Sequence, residues 1–128
     1  MQQKHLFEYA VIRVIPRVER EEFLNIGVIV FCAKQKFLQA RYLLDEDRLQ
    51  AFSAAIDIAE LKEHVCAIER ICLGNKDAGP IGKLDIASRF RWLTATRSTI
   101  LQTSKVHPGF CDDASETLNR LFEQLVVL

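Results

Sequence analysis

Arginines and glutamates are crowded where two apolar stretches meet. The segment Arg13 to Gly27 carries Arg13, Arg17 and Arg20 with Glu19, Glu21 and Glu22. Planar guanidinium forks recognise carboxylate or phosphate through paired hydrogen bonds, so arginines held together on a fold are candidate anion ligands. Arg13 is the sharpest oddity. On an alternating strand it falls on the same face as Phe7, Tyr9, Val11 and Ile15, where a guanidinium without company is costly to bury. It calls either for a structural salt bridge, with Glu21 or Glu22 as partner, or for a ligand.

A second polar set follows in Arg89 to Ser104. Arg97 stands at the start of a strand-like stretch, and Ser98, Gln102 and Ser104 alternate along one side of it. In the bland reading they are solvated caps and loop hydroxyls. In the functional one, Arg13, Arg17 and Arg97 converge across more than 80 positions with Ser98, Gln102 and Ser104 to hold an anion. His107, beside Pro108 and Gly109, is expected in a loop, with no nucleophile assigned to it. Metal is not expected: His64, Cys66 and Cys72 share one helix, but their spacing turns them to different faces. No Gly-rich phosphate loop, GxSxG elbow, HExxH or dinucleotide fingerprint occurs, so no cofactor is implied.

The elements that must position these groups are legible from period and punctuation. Leu6 to Ile15, Ile26 to Cys32 and Phe37 to Leu44 read as strands, the first ended by Pro16. The first is apolar on both faces, as a central strand should be. The short polar link Lys34-Gln35-Lys36 implies a hairpin. Asp45 caps a short helix with Leu49 and Phe52. Asp57, with Glu60 three residues on, opens a helix through Leu61, Val65 and Ile68 that Gly74 ends. A loop around Gly79 to Gly82 leads to a helix from Asp85 to about Leu93, a late strand near Thr99 to Ser104, and a last helix capped by Asp113. The expected fold is α+β: one domain over residues 1–128, a three-strand antiparallel meander plus a late strand, and helices packed on one face.

Composition limits the function classes. At 128 residues, 49% hydrophobic and 27% charged, the chain has the make-up of one globular domain. Seventeen basic residues balance seventeen acidic ones, so the general positive field that drives nucleic-acid binding is missing. The longest apolar run, Ile26 to Ala33, is far short of the roughly 20 residues of a membrane span. Nothing at the N-terminus reads as a secretory signal, and Cys32, Cys66, Cys72 and Cys111 lack the spacing of a disulfide scaffold. A cytoplasmic protein with four free thiols is expected.

Two blocks carry a resemblance. The run from Tyr9 to Phe31, and then Arg97-Ser98 to Gln102-x-Ser104 followed by His107-Pro108-Gly109, resemble a family of short bacterial proteins classed only as a domain of unknown function. Members of that family are often encoded beside HipA-like serine/threonine kinases, so the resemblance implies a regulatory role with such a kinase or another protein as partner. It implies no activity.

Three functions follow as expectations. The first is a non-enzymatic binding or regulatory module with an arginine-lined anion or partner site. The second is an enzyme of nucleotide or phosphoryl chemistry with Glu21 or His107 as base. The third is a structural subunit that joins a partner or a second copy through a sheet edge.

Overall fold

The computed structural model describes residues 5–95 and 100–127. Its strands are β1 (His5–Val14), β2 (Leu24–Cys32), β3 (Phe37–Tyr42), β4 (Leu101–Thr103) and β5 (His107–Cys111). The helices are α1 (Glu46–Phe52), α2 (Ile58–Leu73), α3 (Ile86–Leu93) and α4 (Ala114–Leu125), with 3₁₀ turns at Val18–Arg20 and Lys76–Lys83. All strand pairs are antiparallel in the order β3-β2-β1, and both β4 and β5 lie along the other edge of β1. The class is α+β, with the N-terminal meander as its centre.

Each helix begins where an aspartate can satisfy an amide that the helix itself leaves open. Asp45 accepts from the N–H of Arg48, Asp57 from Glu60, Asp85 from Ser88 and Asp113 from Ser115. Gly74 ends α2 at φ 68°, the left-handed geometry that glycine takes without a Cβ penalty.

Two irregularities bracket one point of β1. On its β2 side, Ile12 pairs with Gly27 but Arg13 with Asn25, so Ile26 is an extra residue. On the other side, Tyr9 pairs with His107 and Ile12 with Thr103, which leaves three residues of the late edge facing two of β1. Ser104 makes that second bulge workable. Its N–H donates to the Val11 carbonyl at 2.8 Å and its Oγ accepts from the Val11 N–H, also at 2.8 Å. A hydroxyl thus replaces a backbone carbonyl and the ladder continues. Bulges bend a strand and re-aim side chains, and they recur next to functional sites.

The expected late strand is therefore one of two. His107 to Cys111 forms β5 rather than a loop, although Pro108 and Gly109 read as turn residues. Proline is tolerated on an edge strand, where its missing donor breaks no ladder bond. Gly109 lies opposite Phe7, and a Cβ there would come within 2.7 Å of the Phe7 ring.

The sheet is covered on both faces. Ile12, Val14, Ile29 and Phe31 pack with α1, α2 and α3, around the fully buried Phe90, as expected for helices on one face. Phe7, Val28, Val30 and Cys32 pack instead with Leu118, Leu121 and Phe122 of α4 on the other face. The reason lies in β1 and β2, whose residues are apolar on both sides and need cover on both. No helix among the described residues is long and apolar enough to cross a membrane.

Candidate functional site

The C-terminal end of β1 carries the residue that the sequence marks as misplaced. Arg13 lies on the α4 face, with its guanidinium 4.0 Å from the centre of the Phe23 ring. Stacking on an aromatic face suits the flat, weakly hydrated guanidinium. The salt bridge to Glu21 or Glu22 is not formed. Arg13 Nε is buried with no hydrogen-bond partner among the described residues, and so is Oδ1 of Asn25, its register neighbour on β2. The Asn25 amide donates to the Leu125 carbonyl at the end of α4.

The glutamates are taken locally. Arg17 Nε bonds Glu19 at 2.7 Å, and the Arg20 guanidinium makes two bonds to Glu22. Backbone and Arg17 hydrogen bonds hold the Glu19 carboxyl below its ordinary range, and the Arg20 hydrogen bond does the same for Glu22. Arg17 and Arg20 line a polar hollow with Glu22, Phe52 and Ser53, and Arg13 is not among the residues lining it. Glu21 has left-handed backbone, φ 57°, at the end of the 3₁₀ turn.

The other expected ligands divide. Gln102 is the register neighbour of Arg13 on β4, so its side chain shares the face of Arg13. Ser104 is 4% exposed, with its hydroxyl bound to Val11 N–H and to the Lys105 carbonyl, so it builds the bulge and is not open to a ligand. Arg97 and Ser98 lie outside the described residues. His107 packs against Tyr9, with ring centres 5.2 Å apart and the ring planes tilted by 31°. Tyr9 stands four residues before Arg13 on one strand, about 13 Å away at the strand rise of about 3.3 Å per residue.

Sequence reasoning missed a pocket on the opposite face. A space of about 230 Å³ opens between α2, the end of α3 and β4, with Ile12, Ile68, Ile71, Leu93 and Leu101 in its lining. No single element has a signal for it, because it arises where three elements fail to meet.

Other chemistry is thinly represented. Among the described residues no group of His, Cys, Asp and Glu could hold a metal ion. The four cysteines are unbridged. Burial pushes the Cys72 thiol up to about 12 and raises that of Cys111, which keeps both as unreactive thiols.

No curated protein and no solved structure matches the chain. One family model does, over residues 9–126, and its span includes both the Arg13 end of β1 and the Ser104 bulge. The chain belongs to that family, described as "Protein of unknown function (DUF3037)".

Proposed function

We propose that the chain is a non-enzymatic binding module whose site for an anionic group, from a small ligand or an acidic partner surface, is the Arg13 end of β1. The observation that carries this reading is a contrast in charge pairing. Arg17 and Arg20 have glutamate partners, whereas Arg13 is half-buried, with Phe23 as its support and no carboxylate partner among the described residues. A cation held on an aromatic ring without a counter-charge is ready for an external one. Gln102 flanks it on β4, and Arg97 and Ser98 follow only a few positions earlier in the chain.

The enzyme reading has less support. His107 packs against the Tyr9 ring about 13 Å up the strand from Arg13, too far to share one reacting group with it. Pairing through the β5 edge is opposed by Pro108, which lacks the amide donor that a new strand would need. A regulatory partner such as a HipA-like kinase remains within the proposal, as the owner of the acidic surface.

Inorganic phosphate is the direct probe. Thermal unfolding followed at constant ionic strength should show a midpoint that rises saturably with phosphate over matched chloride. Arg13→Gln should abolish the rise, and Arg97→Lys should weaken it, because an ammonium keeps the charge but loses the fork. Equal midpoints in phosphate and chloride for the parent chain would sink the proposal.

A further inference from the structure

We infer that the pocket between α2, α3 and β4 is a second binding site, for a compact, uncharged and mostly apolar small molecule. It lies on the face of β1 opposite Arg13, since Ile12 and its register neighbour Thr103 both line it, so it stands independently of the anion site.

Size and charge define the occupant. An apolar cavity of about 150 Å³ takes benzene. In proportion, about 230 Å³ takes roughly nine non-hydrogen atoms. The described lining contains no Lys, Arg, Asp or Glu. Among the described lining residues an ionised head group would find no counter-charge, and a low-dielectric wall of Ile12, Ile71 and Leu93 then penalises it heavily. What the described lining does offer is the Thr103 hydroxyl and the His64 ring, polar atoms that can orient a hydroxyl or a carbonyl. The geometry therefore favours a medium-chain or monocyclic alcohol, ketone or amide over an acid or an amine of the same length.

Trp92, the single tryptophan, lines the pocket and reports on it by fluorescence. The test titrates the full chain with 1-octanol, which has the predicted size, and in parallel with octanoate, which differs by its charge. A saturable change in Trp92 emission is expected with 1-octanol, with a midpoint on the order of 1 mM for a ligand of this size. Octanoate should bind at least about tenfold more weakly. Ala67→Leu fills the space and should remove the octanol response; Ile68→Phe, at a half-buried lining position, is the second blocking variant should the first unfold. A response that never saturates, or equal binding of alcohol and carboxylate, overturns the inference. So does octanol binding that survives in a folded blocking variant. Silence toward both probes also overturns it, and leaves the pocket to a partner's apolar side chain.

Discussion

The two halves of β1 make different use of the same strand. Along His5 to Tyr9 every conspicuous group is matched: Phe7 closes over Gly109, Glu8 accepts from two guanidinium nitrogens of Arg91 at 2.9 Å, and Tyr9 packs against His107. From Ile12 to Val14 the matching stops. Among the described residues Arg13 faces no carboxylate and Asn25 keeps an unused oxygen, and Ile12 forms part of an open pocket on the other face. The change occurs where the Ser104 and Ile26 bulges flank the strand. A strand that is fully satisfied at one end and incomplete on both faces at the other serves stability at the first and, in the function proposed above, binding at the second.

Substitutions in the two halves should therefore behave differently. The largest effect is expected from Gly109→Val, which drives a branched side chain into the Phe7 ring. Overpacking of this kind should cost about 3 kcal/mol in denaturant unfolding. At the boundary, Ser104→Ala strips the Val11 N–H of its acceptor and leaves it buried, a loss of about 2 kcal/mol by the same measurement. Ser104→Thr, which keeps an oxygen, should lose less.

Glu8→Gln removes the charge from a pair whose arginine is more than half exposed, and solvent screening limits the cost to about 0.5 kcal/mol. High salt should shrink it further. The smallest effect belongs to the half that holds Arg13. Arg13→Met trades a cation–π contact for relief of a buried, unpaired donor, and the two nearly cancel, to within about 0.5 kcal/mol. An Arg13→Met loss as large as that of Ser104→Ala would erase the distinction between the halves and make Arg13 a structural residue.

How far the sequence foretells this depends on whether a signal is local. The four aspartate caps, the strands of the meander and the two-sided apolar character of β1 are local, and the structure has them. Strand β5 is obscured because Pro108 and Gly109 carry turn propensities that an edge position and the Phe7 ring override. The side on which α4 packs is hidden too, since an amphipathic stripe says that a helix is covered and not by which face of a sheet. Arg13 stands out from alternation alone. Its company does not, because Arg17 and Arg20 claim nearby glutamates two residues away, Glu19 and Glu22, and Phe23 takes their place. Ser104 looks like a ligand in a polar stripe, and only the register with Val11 turns it into a backbone substitute. The pocket has no sequence signature at all.

The central claim is that Arg13 is a cation waiting for an external anion, and its own Nε–H resonance is the most direct witness. In a ¹H–¹⁵N spectrum recorded through a phosphate titration at constant ionic strength, the Arg13 Nε–H signal should move saturably, because a bound anion gives the guanidinium its missing partner. Those of Arg17 and Arg20, already bonded to Glu19 and Glu22, should stay nearly still. An Arg13 signal that does not move, or arginine signals that all drift together without saturation, would contradict the account.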